Sequence, residues 1–357
     1  TAASIIDVDS GQLWPNHTVR GEDGRISAVG PTAVTEVGID DLRIGLAGAI
    51  LMPGLTDLHT HIGTSPTELL GQTHPRRQQL IEEAARGELL LYLSQGVTTV
   101  LNAGDFGEPL PQWRARVDAG ELVGPKIHAA RYLRGPPGTP DGGPPGAFVT
   151  ASTARDFVAS SAVLGFDMIK IYNYPELAAL PAIFDESARL GMAVLGHFPV
   201  RQSPIETLDA GMAAVAHGQA FYWIWGPDPR LLGSASAALR RNDSAIVATL
   251  GHYEIIAQVW GNNTAGIAAY RARPELRYLH PTSRDLNERS ISGGRFNPAG
   301  SFPGQLEPAS AFVATYLRRF HADGVPLLLG SDSPTVLGVP GFSALEELEV
   351  MRDRLDL

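Results

Sequence analysis

The sequence contains no cysteine. That absence removes disulfides, thiolate metal ligands and cysteine nucleophiles together, so any bound metal must be held through nitrogen and oxygen. An excess of positive charge is also absent. The formal net charge of −10 argues against a phosphate-binding surface, and no nucleic acid partner is expected. One local basic stretch, Arg271, Arg273, Arg277, Arg284, Arg289 and Arg295, has Glu275, Asp285 and Glu288 interspersed. It reads as a solvated face, or at most as the source of one carboxylate-binding arginine. No apolar run reaches the roughly 18 to 20 residues that span a bilayer, and the opening at Thr1 lacks the regions of a signal peptide. The missing initiator Met is compatible with signal removal and decides nothing about location, so a soluble protein, cytoplasmic or exported, is expected. Phosphate loops are missing too: no Gly-x-Gly-x-x-Gly follows an early strand, and no Gly-Lys-Ser/Thr occurs. Lysine itself is scarce. Lys and Arg together number 28, yet only Lys126 and Lys170 are lysines.

What is present is enough apolar sequence for a large core, 44% of 357 residues, which excludes a disordered or fibrous protein. Residues 1–50 read as short strands with turn punctuation, over Ala3 to Val8, Thr18 to Val29 and Leu42 to Leu51. They predict a small β layer. From residue 51 to 357, short apolar runs alternate with helix-length amphipathic stretches, the pattern of parallel βαβ units. The runs centre on Gly54 to His59, Val97 to Asn102, Lys126 to Ala130, Asp167 to Tyr172, Ala193 to His197, Ala213 to His217, Ala245 to Leu250 and Pro326 to Gly330. Eight strands with intervening helices predict an α/β fold, a closed (β/α)8 TIM barrel. Two segments break the rhythm. The Gly/Pro-rich stretch Gly135 to Gly146 follows the third strand, as a lid or a plain loop. Residues 253–310, between the seventh and eighth strands, form an insertion expected at the barrel mouth, where it would select substrate.

Polar residues stand where these apolar runs end. In a strand, residues i and i+2 point to the same side, so His59 and His61 can grip one ion together. Ten histidines scattered over 357 positions would produce that spacing by chance about 0.3 times, so the pair alone is weak. Lys170 lies inside the apolar run Asp167 to Tyr172, where a cation is expensive to bury. It is either a salt-bridged lysine at a strand end or a desolvated amine that takes up CO2, giving a carbamate able to bridge two cations. Lys126 reads as a surface or barrel-bottom lysine. His197 and His217 close successive runs 20 residues apart, either as satisfied core histidines or as ligands. Asp332 ends the last run, as a helix N-cap or a ligand.

Taken together, Pro53-Gly54-Leu55-Thr56-Asp57-Leu58-His59-Thr60-His61 and the later Lys170, His197, His217 and Asp332 resemble the motif set of the metal-dependent amidohydrolase superfamily. The opening motif and the Gly-Phe-Ser…Glu-Glu-Leu-Glu stretch from Gly341 to Glu349 resemble its imidazolonepropionase and prolidase-like branch. The resemblance implies two divalent ions, zinc above all, with manganese or iron also suited to nitrogen and oxygen ligands. One ion would rest on His59, His61 and Asp332, the other on His197 and His217, with carboxylated Lys170 between them. It further implies a hydrolase that cleaves a C–N amide bond by metal-bound hydroxide, with Asp332 moving the proton. The substrate would be a small-molecule amide, a dipeptide or N-acyl amino acid, or else a cyclic amide of hydantoinase or imidazolonepropionase type; a non-catalytic barrel is the remaining alternative. Tyr172, Tyr222 and His252, just past strands four, six and seven, are candidate substrate contacts. Members of the branch return after the eighth helix to complete the small β layer, so a partial β-sandwich without its C-terminal strands is expected, with an open edge that invites a homo-oligomer.

Overall fold

The computed structural model describes residues 1–71, 73–104, 109–133, 135–139, 148–261, 264–292, 306–335 and 337–357. Of the Gly/Pro-rich lid candidate, residues 140–146 lie outside these, as do 262–263 and 293–305 of the insertion. The chain divides into two compact units, Thr1–Gly54 and Leu55–Leu357.

The first unit is one four-stranded sheet of β1 (Ala3–Ile6), β2 (Leu13–Glu22), β3 (Arg25–Pro31) and β4 (Ile50–Leu51), in the order β3-β2-β1-β4. Strands β2 and β3 pair antiparallel around Asp23 and Gly24, both at positive φ, which is the backbone that a tight hairpin with the native strand twist requires. The run from Leu42 to Leu51 was expected to be extended throughout, but only Ile50 and Leu51 pair, parallel to β1. Gly45 and Gly48 break it, the latter turning the chain at φ 81°.

The second unit contains eight parallel strands: β5 (Leu55–Thr60), β6 (Val97–Asn102), β7 (Lys126–Leu133), β8 (Met168–Ile171), β9 (Ala193–Gly196), β10 (Met212–Ala216), β11 (Ala245–Val247) and β12 (Leu327–Leu328). They pair in chain order. The circle closes between β12 and β5 through backbone bonds from Leu58 N to Leu329 O, Asp332 N to His59 O and His61 N to Ser333 O, each 2.8–2.9 Å. The (β/α)8 barrel read from the sequence is therefore the fold. Helices such as Arg77–Ser94, Ala154–Val163 and Leu180–Leu190 cover it. The last of these turns Leu180, Ile183 and Phe184 inward, leaves Arg189 outward, and ends at Gly191 in the left-handed region, as a helix C-terminus prefers.

Inside the barrel Leu101, Ala103, Ala130 and Leu195, with Met168 packed against them, form an apolar cluster of their own. Met168 precedes Lys170 by two residues, and Leu195 precedes His197 by two. Strand alternation thus aims Lys170 and His197 to the same side as that cluster, nearer the C-terminal mouth. Two glycines are dictated by close approach. A Cβ at Gly196 would overlap Ile171 O, and one at Gly330 would overlap the Val247 side chain and crowd His59.

The stretch between β11 and β12 folds into helices Leu250–Trp260, Thr264–Arg271 and Pro281–Ile291, with a short 3-10 turn over Pro274–Tyr278, and runs into Leu306–Ala322. It has its own small core of Val259, Tyr270 and Ile291, shared with Leu337. Asn287 Oδ1 accepts from Leu337 N at 2.8 Å, tying this segment to the loop that follows Asp332. Two of its arginines are already spoken for: Arg271 pairs with Glu288 at 2.6 Å, and Arg273 with Glu275 and Glu346. Among the described residues no helix is long and apolar enough to cross a membrane.

Candidate metal centre

At the C-terminal ends of β5, β8, β9, β10 and β12 the barrel gathers a buried polar cluster. His59 Nε2 and His61 Nε2 lie 3.2 Å apart, and Asp332 Oδ1 reaches them at 3.5 and 3.1 Å. The donor atoms of these three residues all lie within 4.8 Å of one another. Lys170 Nζ is 3.4 Å from His59 Nε2, and the lysine is only 1% exposed. The His217 ring sits 4.4 Å from that of His59 and 4.8 Å from that of His197, and His217 Nδ1 is 3.8 Å from Asp332 Oδ2. All six residues proposed as ligands from the sequence therefore converge on one spot.

The secondary candidates separate. His252, in the first turn of the helix Leu250–Trp260, brings Nε2 to 3.4 Å from Asp332 Oδ2. Tyr172 packs against His197 with ring centres 4.1 Å apart and the rings tilted by 33°. Tyr222 instead packs on the main core, its ring 6.4 Å from Phe312, while its neighbour Trp223 presents a half-exposed indole 5.6 Å from His197 and 6.0 Å from His217. Lys126 is exposed at the start of β7.

Several supporting residues were given no role in the sequence reading, although one of them, Asp57, lies within its opening motif. Asn173 Oδ1 holds His197 Nδ1 at 2.8 Å, and Thr249 Oγ1 holds His217 Nδ1 at 2.9 Å. Asp57, fully buried, accepts from Ser331 N at 3.0 Å, Ser331 Oγ at 2.5 Å and His59 N at 3.2 Å, so one carboxyl ties β5 to the segment that presents Asp332. The orienting partner of a metal-ligating histidine commonly matters nearly as much as the ligand. His217, Thr249 and Asp332 also adopt positive φ of 78°, 46° and 54°, a conformation that non-glycine residues avoid and that gathers at functional sites.

Burial dominates the electrostatics. It lowers the Lys170 amine to about 7, against a smaller opposing pull from Asp332. It holds His59 and His197 well below the usual imidazole range, with the neighbouring Lys170 acting the same way, and takes His217 to about 3. For Asp332, burial favours the neutral acid, but attraction to His252 and His59 and a hydrogen bond with His61 outweigh it and bring the carboxyl well below its ordinary value. Near neutral pH the imidazoles of His59, His197 and His217 are thus neutral and Asp332 is ionised, with the Lys170 amine able to lose its proton. This is the protonation state that metal binding requires.

The donors fit divalent cations on their own chemistry. The Nε2 atoms of His59 and His61 face each other at 3.2 Å, and the Asp332 carboxylate closes the same triangle. His197 Nε2 and His59 Nδ1 are buried and find no hydrogen-bond partner among the described residues. A buried polar nitrogen without a partner is costly, and an ion beside His197 would relieve it.

The fold defines a class before any relative is considered: a (β/α)8 barrel with histidine, lysine and aspartate gathered at its mouth. No family model and no curated protein matches this chain. Solved structures do match. A prolidase-type protein from Bifidobacterium longum superposes with TM-score 0.69 at 21% identity, covering 100% of this chain and 78% of that one. A Xaa-Pro dipeptidase with methionine bound in its active site matches with TM-score 0.66 at 17% identity, covering 98% and 82%. Molinate hydrolase matches with TM-score 0.64 at 19% identity, covering 99% and 80%. The chain shares the fold of these proteins.

Proposed function

We propose that this protein is a metal-dependent hydrolase that cleaves the C–N bond of a small amide, with a dipeptide or N-acyl amino acid as the substrate class. The observation that carries the reading is the convergence of His59, His61, Lys170, His197, His217 and Asp332, from five different strand ends, on one buried point. Two of the fold neighbours, a Xaa-Pro dipeptidase and a bottromycin amidohydrolase, support it.

His59, His61 and Asp332 would hold one divalent cation, and His197 and His217 a second. Lys170 would join the two sites as a carbamate, formed when its neutral amine adds to CO2 with release of one proton; a buried amine at about 7 supports that chemistry. When bound, such cations polarise a carbonyl and acidify water to near neutrality. The chain's own residues would do the rest. Asp332, ionised and itself one of the proposed ligands, would accept a proton from the attacking water and return it to the leaving amine. His252, held neutral by burial, would fix the second carboxylate oxygen of Asp332. Trp223 and Tyr172 flank His197 and would shield the reacting bond from bulk water.

Metal analysis joined to a screen of linear and cyclic amides tests the reading. About two divalent ions per chain are expected, with amide cleavage lost on chelation and restored by zinc, manganese or iron. A folded sample that binds no divalent ion would overturn it and leave a non-catalytic barrel.

A further inference from the structure

Two non-glycine residues bound the loop after β12 in the left-handed region, Asp332 at φ 54° and Leu337 at φ 70°. For a branched side chain such as leucine this backbone is a genuine outlier, and it persists only where the surroundings over-determine it. At the Asp332 end the barrel does so, through the bonds from Asp332 N to His59 O and from His61 N to Ser333 O. At the Leu337 end the helical segment between β11 and β12 does so. The Leu337 side chain is fully buried with Val259, Tyr270 and Ile291, and its N–H donates to Asn287 Oδ1 at 2.8 Å.

Asn287 is 3% exposed and uses both ends of its amide, since Nδ2 donates to Tyr270 Oη at 2.8 Å. With Ser283, Leu286 and Ser290 it makes the buried face of the helix Pro281–Ile291, at helical spacing. The same helix packs on Thr64–Leu69, which begins three residues after His61. It therefore touches both segments that leave the seam between β5 and β12.

Between its two ends the loop turns back on the carboxylate. Gly338 N donates to Thr335 O at 2.9 Å, and a Cβ at Gly338 would crowd Ser333. This path sets Thr335 Oγ1 against Asp332 O and 3.1 Å from Asp332 Oδ1. Oδ1 is the oxygen that faces His59 and His61, whereas Oδ2 faces His252. A hydroxyl on one oxygen and an imidazole on the other fix the rotation of the carboxyl group.

We propose that Thr335 and Asn287 are positioning residues that hold Asp332 with Oδ1 toward the pair His59 and His61, Thr335 through its hydroxyl and Asn287 by pinning the loop at Leu337. The segment between β11 and β12 is then part of the mounting of the candidate metal centre. The effect on a bound ion rests on the metal-dependent reading; the brace itself does not. Without Asn287, Leu337 can relax to negative φ and carry Thr335 away from the carboxylate. Supporting groups of this kind are worth about 10- to 100-fold in metal affinity.

The experiment measures zinc affinity by chelator competition, with amide exchange of the metal-free protein alongside. Thr335→Val keeps the shape of the side chain and deletes the hydroxyl, so it should weaken zinc binding about 10- to 100-fold, while Thr335→Ser restores most of it. Asn287→Ala should match Thr335→Val. Neither should weaken the residual zinc affinity of Asp332→Ala any further, because changes that act through one group do not add. In the metal-free protein Asn287→Ala should speed exchange of the Leu337 and Gly338 amides about 10-fold and leave the helix Leu180–Leu190 at its wild-type rate. Zinc affinity untouched by Thr335→Val, an equal loss in the Asp332→Ala background, a Thr335→Val that is unfolded, or unchanged exchange in Asn287→Ala would each overturn the proposal. Failure of the metal reading looks different: a wild type that binds no zinc, yet loosens Leu337 and Gly338 in Asn287→Ala, keeps the brace and loses the metal.

Discussion

Glu347 belongs to the Glu-Glu-Leu-Glu stretch near the end of the chain, and its contacts allow its contribution to be worked through. It is buried, and its two oxygens accept from Leu250 N at 2.9 Å and Gly251 N at 2.5 Å. These are first-turn amides of the helix Leu250–Trp260, which no residue of that helix can satisfy. The same turn begins at Thr249, the partner of His217, and contains His252, the neighbour of Asp332. Glu347→Ala leaves two buried N–H groups without acceptors, at about 1–3 kcal/mol each, for a loss of about 2–6 kcal/mol. That is a large part of the roughly 5–15 kcal/mol that holds a typical domain. Glu347→Gln keeps one acceptor oxygen and should lose about half as much. Charge adds a second test. Burial raises the Glu347 carboxyl to about 8, although its two N–H donors pull the other way. Its folded-state value thus lies above the unfolded 4.5, so the stability it contributes is fully present below about pH 4.5 and is lost as pH rises through about 8. Urea midpoints at pH 5.5 and 8.5 for wild type and Glu347→Gln check this, with kcat/KM measured alongside. The wild-type advantage should shrink at the higher pH. If Glu347→Ala shifts stability by less than about 0.5 kcal/mol, or if the advantage over Gln grows with pH, the clamp reasoning fails.

Lys170→Ala should lose at least one ion and drop in activity by orders of magnitude, because two cations roughly 3.5–4 Å apart would lose the anion between them. Formate or acetate should restore part of that activity, and Lys126→Ala should change neither metal content nor rate; mass spectrometry finding unmodified Lys170 in active, metal-replete protein would contradict the bridging role. Asp57→Asn, which disturbs the link from β5 to Ser331, should weaken metal binding about 10- to 100-fold in a chelator competition while the barrel stays folded. The metal-free protein should lose stability as pH falls below about 6.5, since the imidazoles of His59, His197 and His217 take up protons in the unfolded chain but resist them when buried. Thermal melts at pH 7.5 and 5 should show the drop, and a cluster-free control with His59, His197 and His217 replaced by glutamine should show less of it.

The barrel was legible in the sequence because a strand buried on both faces must be written as a short apolar run, and eight such runs recur at βα spacing. The ligands were legible for the complementary reason: Lys170 is conspicuous inside Met168 to Ile171 because nothing in a core repays a lone cation. What supports them was hidden. Asp57 and Glu347 act on partners 274 and 97 residues away, and no local pattern encodes such a pairing. Tyr222 and Trp223 stand side by side in one helix, so the chain order alone could not say which ring faces the histidines; the helical turn selects Trp223. Arginine-rich composition between β11 and β12 likewise gave no sign that Arg271 and Arg273 are consumed by Glu288, Glu275 and Glu346.

The seam between β5 and β12 is made from the residues that would grip the metal: Asp332 N bonds His59 O, and His61 N bonds Ser333 O. The two sides of that seam come from opposite ends of the second unit. Contacts of such long sequence separation are entropically late in folding, so the site cannot exist before the circle is complete. An ion held by His59, His61 and Asp332 would bind only the finished barrel and would add its binding free energy to that last closure. Metal uptake during refolding would then serve as a clock for ring closure, lagging behind helix formation followed by circular dichroism, and a saturating ion would slow the amide exchange of His61 and Asp332 before that of any other pair of strands.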